Sequence, residues 1–324
     1  MKPMTPWPRA GSICSAAAAL ALSACGDPQP TCDPNAGLPP TLSFAEHCEP
    51  HLGVMPEIDC SEGVLVPLTQ DGEAVWQPRD DFDCDNHSMQ HGQCMPGATV
   101  VRKTGQDRRG DVLDHVVWLG FCRPEPSEED PQAVVPNIDI IGYNAITGAT
   151  CMLTTDEGVP HDASGTAPWT SQGVMPSSTD PRFEELVELE RTEECAECHH
   201  AGPFIHNDWI DGARMPDDPD EPVVPIVSGP NAPYWLVGTA HGRLATPHID
   251  GNGCVSCHRF PSRTLELFQS NGWVAAEHMP PHDPGSLSGD YEAMLACVES
   301  GPENTPGCEW VVPAAGACEG ERLR

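Results

Sequence analysis

Three kinds of hydrophobic pattern follow one another along the chain. Residues 13–24 form an apolar run of small and aliphatic residues behind Lys2 and Arg9. The run is shorter than the roughly 20 residues a spanning helix needs, so it reads as an export signal. From residue 41 to 155 the apolar runs are short, rich in β-branched and aromatic residues, and separated by turn formers, which predicts strands. Asp111–Cys122 is one such run. Ile138–Tyr143 and Ala149–Thr154 are two more, and Asn144–Gly148 between them predicts a hairpin turn closed by glycine. Gly63–Leu68 and Ala74–Trp76 flank Gln70-Asp71-Gly72 as a second pair. Helical spacing comes later. Asp180 as N-cap and Pro181 at the first turn open a helix carrying Phe183, Leu186, Val187 and Glu190, which is expected to run into Cys195. Thr264–Gln269 and Gly289–Ser300 predict two further helices, the second with Tyr291, Met294, Leu295 and Val298 on one side.

Between these elements the chain is rich in proline and glycine, at residues 26–40, 156–179 and 202–253. The resulting expectation is an α+β protein. Residues 1–24 are a signal, 25–40 a tether, 41–155 a small disulfide-stapled and mostly-β region, 156–179 a linker, and 180–324 an irregular, helix-poor domain with a cysteine-containing tail. The 36 prolines, 30 glycines and 6% aromatic content agree with turns and short elements rather than a helical bundle. No other segment approaches a membrane-spanning length.

The signal ends at Leu22-Ser23-Ala24-Cys25, which resembles the lipobox of bacterial lipoproteins. The resemblance implies cleavage before Cys25 and its diacylation, with the mature protein lipid-anchored at the periplasmic face or cell surface. Gly26 after the cysteine leans towards the outer membrane. An ordinary signal peptide, with Cys25 in a disulfide, is the alternative. Charge narrows the partners. The net charge of −33 becomes −35 once residues 1–24, with two basic and no acidic residues, are removed. Such a surface repels nucleic acid and anionic headgroups, and it suits a basic partner or simple solubilisation.

Of 16 cysteines, Cys14 lies in the signal, Cys25 at the lipobox and four in CxxCH motifs. Ten remain: Cys32, Cys48, Cys60, Cys84, Cys94, Cys122 and Cys151 before the motifs, and Cys297, Cys308 and Cys318 after them. An even remainder in an exported chain suggests up to five disulfides. Seven against three requires at least one bridge between the two ends if all ten pair. Near neighbours suggest Cys84 with Cys94 and Cys308 with Cys318. His87 and His91, with Asp81, Asp83 and Asp85, lie in or beside the Cys84–Cys94 loop. They lack a calcium-loop pattern and read as a polar loop rather than a metal site.

Cys195-Ala196-Glu197-Cys198-His199 and Cys254-Val255-Ser256-Cys257-His258 carry the chemistry. Two thiols three residues apart can each add to one vinyl group of a porphyrin, and the adjacent histidine can then ligate its iron. Over about residues 181–300 the chain resembles the c-type cytochromes. That resemblance implies a cytochrome c-like dihaem domain with two covalent haems c, thioether pairs Cys195/Cys198 and Cys254/Cys257, and proximal ligands His199 and His258. Met279, in His278-Met279-Pro280, looks like the Met-Pro ligand loop of small cytochromes c, and Met215, in Arg214-Met215-Pro216, stands in a parallel position. His206 and His248 are the first histidine alternatives, with His241 and His278 behind them.

The expected function is electron transfer through two haems to a redox partner. A dihaem peroxidase, faintly suggested by Gly202-Pro203-Phe204-Ile205-His206, is the enzymatic alternative. A zinc- or disulfide-stabilised surface lipoprotein, with Cys195, Cys198, Cys254 and Cys257 as possible zinc ligands, is the non-redox one.

Overall fold

The computed structural model describes residues 43–75, 84–89, 92, 94–126, 134–155, 173–188, 192–227, 229–237 and 245–313. Its centre is a seven-stranded sheet. The strands are β1 (Val64–Leu65), β2 (Thr99–Gln106), β3 (Val112–Pro126), β4 (Val134–Asn144), β5 (Ala149–Thr155), β6 (Val187–Glu188) and β7 (Trp235–Leu236). They lie in the order β6-β5-β4-β3-β2-β1, all antiparallel, while β7 pairs in parallel with the start of β5. Strands from both sides of residues 156–179 therefore share one sheet. The helices are short: α1 (Phe44–His47), α2 (Glu49–Leu52), α3 (Phe183–Leu186), α4 (Thr192–Cys198), α5 (Ser262–Ser270), α6 (Ala275–His278) and α7 (Ser288–Ser300). The protein is thus mixed α and β, sheet-rich and helix-poor. Among the described residues no helix is long and apolar enough to cross a membrane.

The hairpin expected at Asn144–Gly148 joins β4 to β5. The Asn144 carboxamide oxygen accepts the N–H groups of Ile146 and Thr147, at 3.0 and 3.1 Å, and Gly148 takes φ 78°. The second expected pair forms over fewer residues. Leu68–Gln70 pairs with Glu73–Val75 around Asp71-Gly72, whereas Val64–Leu65 joins β2 in the main sheet, and Trp76 lies outside the described residues. The two C-terminal helices form as expected, and Tyr291, Met294, Leu295 and Val298 of α7 share one apolar cluster.

The helix expected to run from Asp180 into Cys195 is not continuous. α3 makes one turn, Val187–Glu188 then pair with Thr155 and Thr154 as β6, and α4 starts again at Thr192. Asp180 accepts the Arg182 N–H at 2.9 Å, but the helix itself begins after Arg182. Phe183 is fully buried against Phe44, and the free edge of β5 offers β-branched Val187 a strand partner. That pairing outweighs the modest helix preference of the local sequence.

The sheet has two different faces. One carries Trp118 and Cys122 of β3, Ile138 and Ile140 of β4, and Cys151 and Leu153 of β5, packed against Phe44, Leu52, Ile58 and Phe183. Trp118 lies across Gly142, its register partner. A Cβ at Gly142 would meet the indole at 2.4 Å, so only glycine fits. The opposite face presents the rows Leu119–Ile141–Met152 and Phe121–Asp139–Thr154, followed by Arg123–Asn137. β5 is buried along its whole length, as expected of a strand covered on both faces.

Four disulfides are present among the described residues: Cys48–Cys151, Cys60–Cys122, Cys84–Cys94 and Cys297–Cys308. The pairing of Cys84 with Cys94 is as expected. Cys308 pairs with Cys297 and not with Cys318, because α7 buries Cys297 beside the strand that starts at Cys308, with the two Cα atoms 5.5 Å apart. Parity leaves Cys32 and Cys318, both outside the described residues. Loop-closure entropy ranks the bridges. Replacing Cys48 and Cys151 by alanine, which opens a 103-residue separation, is expected to cost about 4 to 5 kcal/mol. Replacing Cys84 and Cys94, only 10 apart, is expected to cost under about 3 kcal/mol. Urea unfolding of the two double variants checks the ranking.

Candidate functional site

The first CxxCH motif occupies the end of α4, where Cys195 and Cys198 lie one helical turn apart. Ala196, between them, is buried with Ile141, Met152, Tyr234 and Leu236, so α4 is seated directly on the second face of the sheet. Beside this seat is a cavity of about 360 Å³, within the usual size range of small-molecule sites. Cys195, Cys198 and His199 form one wall. Phe121, Arg123, Asp139, Ile141, Met152 and Thr154 form the floor. Asn207, Trp209 and Ile210 close a side, and Leu267 and Phe268 of α5 complete it with Ser88 from the Cys84–Cys94 loop.

The His199 ring nitrogen Nδ1 lies 2.9 Å from the carbonyl oxygen of Pro203. A carbonyl can only accept, so Nδ1 carries the proton and Nε2 keeps a lone pair. Burial holds the His199 pKa down at about 4, against a partial rise from the Pro203 bond, so the ring is neutral at ordinary pH. His200, 4% exposed, is held at about 4 for the same reason. Burial also raises the Cys198 thiol.

The second motif starts in a short 3₁₀ turn, Gly253–Ser256. Asn252 fixes it from both sides. Its Oδ1 accepts the Cys254 N–H at 3.0 Å, and its Nδ2 donates to the Asp290 carbonyl in α7 at 2.9 Å. Cys254 is half-buried, its thiol pushed up to about 11 by burial and then by the Asp290 charge, while Cys257 and His258 are exposed. His258 Nδ1 donates to the Arg259 carbonyl at 2.7 Å, so its tautomer matches that of His199.

Residues just after the second motif are bonded to the backbone of the first. Thr264 Oγ1 donates to the Cys198 carbonyl, Arg259 Nε donates to the Ala201 carbonyl at 2.6 Å, and the Ser262 hydroxyl faces His200 Nε2 at 3.5 Å. Tyr234, held by the turn before β7, donates its hydroxyl to the His199 carbonyl. The two motifs are therefore parts of one hydrogen-bonded unit.

Other residues singled out by sequence fall in varied places. Met279 packs in the same apolar cluster as Cys254 and Val255. Met215 packs instead against the cluster of Val66, Leu68 and Val223 and does not line the cavity. His206 donates Nδ1–H to the Asp211 carboxylate at 2.7 Å, and its Nε2 is buried without a partner among the described residues. The cavity is lined by its neighbours Ile205 and Asn207 but not by His206 itself. His248 stands opposite Glu309 in a two-stranded ribbon, and His278 stacks on Trp273 while donating Nδ1–H to the Val274 carbonyl. His87 donates to the Asn271 carbonyl, and Asp85 accepts from the backbone of Asp71 and Gly72. Cys25, Asp81, Asp83, His91 and His241 lie outside the described residues. Among the described residues no group of three or more His, Cys, Asp or Glu side chains is arranged to hold a metal ion, so the two cysteine pairs are not gathered as a zinc tetrad requires.

Sequence reasoning missed Arg123, Asp139, Met152, Trp209 and Arg259. Asp139 was visible as one carboxylate inside the apolar run Ile138–Tyr143. It accepts from Arg123 and from Thr154 at 3.0 Å. Trp209, only 7% exposed, lines the cavity, and its indole N–H is buried with no partner among the described residues. Comparison with protein-family models, curated proteins and solved structures finds no match for the chain.

The tie between the motifs is testable by itself. Thr264→Val leaves the Cys198 carbonyl without its donor and is expected to cost about 1 to 3 kcal/mol. Thr264→Ser is expected to keep most of that stability, and urea midpoints compare the two.

Proposed function

We propose that this chain is an exported, lipid-anchored c-type cytochrome that carries electrons through two covalently attached haems. One observation carries the proposal. Both CxxCH histidines donate Nδ1–H to a backbone carbonyl, which leaves Nε2 as the ligating nitrogen in each motif. The cavity supports it further, because Cys195, Cys198 and His199 open onto a space of ligand size. The four disulfides are compatible with export. The lipid anchor rests on the lipobox resemblance at Cys25, and the acidic surface fits a basic redox partner.

Cys195 and Cys198 would hold one haem by thioether bonds, and Cys254 and Cys257 the other. His199 and His258 would each give Nε2 to an iron. Haem supplies an iron that cycles between two oxidation states. The protein's part is to fix the imidazoles, exclude water with the Phe121–Ile141–Met152 floor, and hold the two sites in one body. Met279, which shares an apolar cluster with Cys254, would be the further residue to hold the second haem's iron.

The test is a pyridine haemochrome assay and a haem stain on a denaturing gel, using full chain expressed with the haem-attachment machinery. Two covalent haems per chain are expected, one after Cys195→Ala with Cys198→Ala, and one after Cys254→Ala with Cys257→Ala. No covalent haem in the wild type would sink the proposal. Peroxide turnover by the reduced protein would turn the assignment to a dihaem peroxidase.

Met279→Ala is expected to remove the sulfur-to-iron charge-transfer band and lower one of two midpoint potentials. An unchanged spectrum would exclude Met279 as a ligand.

A further inference from the structure

Arg259 follows His258 directly, and its side chain is only 7% exposed. Its guanidinium donates to the carbonyls of Ala201 at 2.6 Å, Pro230 at 2.9 Å and Ala232 at 2.7 Å. It also stands 5.6 Å from the centre of the Tyr234 ring, the side chain whose hydroxyl donates to the His199 carbonyl. Every one of these partners is uncharged. Five other arginines differ in this respect. Arg102, Arg108, Arg109, Arg123 and Arg182 each pair with a carboxylate. The chain has 49 acidic residues against 16 basic ones, yet among the described residues no carboxylate meets Arg259. A buried charge without a counter-ion is costly, and three carbonyl dipoles with an aromatic face offset only part of that cost.

We propose that Arg259 is a shared, uncompensated cation that raises the reduction potentials of both haems. The proposal rests on the dihaem function given above. Arg259 belongs to the second motif by sequence and to the first by its bond to Ala201, two residues beyond His199. Reduction takes each iron from the ferric to the ferrous state with one electron, supplied by the donor protein or by an electrode. Each site then gains one negative charge. A fixed positive charge in a low-dielectric interior stabilises that product and so favours reduction. The carbonyl contacts keep the cation in place in both oxidation states, and among the described residues no carboxylate lies against it to quench its field. A carboxylate in the same position would hold Arg259 equally well but would cancel this effect.

The experiment uses the full-length holoprotein and the variants Arg259→Lys, Arg259→Gln and Arg259→Met. Covalent haem is counted first, and midpoint potentials are then read by spectroelectrochemical titration. With two haems retained, the neutral variants are expected to shift both midpoints downward. At least one reduction equilibrium should fall about tenfold, equivalent to about 59 mV for a one-electron couple. Arg259→Lys, which keeps the charge, should stay within about threefold of wild type.

Neutral variants that titrate like wild type overturn the proposal. So does a shift in Arg259→Lys as large as that in Arg259→Gln, because the ties and not the charge would then be responsible. If neither neutral variant accumulates as holoprotein while Arg259→Lys does, Arg259 is a folding requirement and the proposal is likewise overturned. A wild-type chain without covalent haem instead removes the dihaem function on which the proposal rests.

Discussion

A chain so poor in aromatics and so rich in proline and glycine must close its long loops by means other than a large apolar core, and it does so covalently on one face of the central sheet. Cys48–Cys151 ties the segment of α1 and α2 to β5, and Cys60–Cys122 ties the segment before β1 to β3. Both bridges lie among Trp118, Ile138, Ile140 and Leu153. The apolar residues packed around these bridges hold β3, β4 and β5 in one register on that face. Because side chains alternate along a strand, the same register aligns Arg123, Asp139, Thr154, Ile141 and Met152 on the other face. The cavity floor is thus a by-product of packing on the far side of the sheet.

The walls above that floor come from chain far away in sequence. α4 is seated by Ala196, and the segment after the second motif reaches back through Arg259 and Thr264 to the carbonyl groups of Ala201 and Cys198, and through Ser262 to the His200 ring. These are mostly side-chain bonds to backbone carbonyls, which position groups without depending on the identity of the side chain approached. The histidines themselves are oriented locally, by Pro203 and by Arg259. Orientation is therefore a short-range property of each motif, while proximity of the motifs is a long-range one.

This division explains what was legible in the sequence. The β4–β5 hairpin, helices α5 and α7, and the motifs themselves depend on local spacing and turn chemistry, and they are found where the pattern puts them. The helix drawn from Asp180 to Cys195 failed because the unpaired edge of β5 competes for Val187, a contact no local window contains. Cys308 was assigned to Cys318 by proximity in sequence, whereas α7 brings Cys297 to it. Arg259, Trp209 and Met152 carry no motif. Their relevance lies in burial, missing partners or shared walls, which only the folded chain defines. Asp139 is the intermediate case, since a lone carboxylate in an apolar strand is visible in the sequence but its partner Arg123 is not.

Among the described residues, the three bridges in the first half of the chain are nested. Cys84–Cys94 lies inside the span of Cys60–Cys122, which lies inside that of Cys48–Cys151. None crosses another in sequence, so the closure of one needs no threading through the loop of the next. Nesting also makes the covalent frame tolerant of cleavage. A single backbone cut anywhere between Cys60 and Cys122 leaves both new ends joined through two independent bridges. The region that supplies the cavity floor would survive a nick there as one molecule, and the break would become visible as two pieces only after reduction.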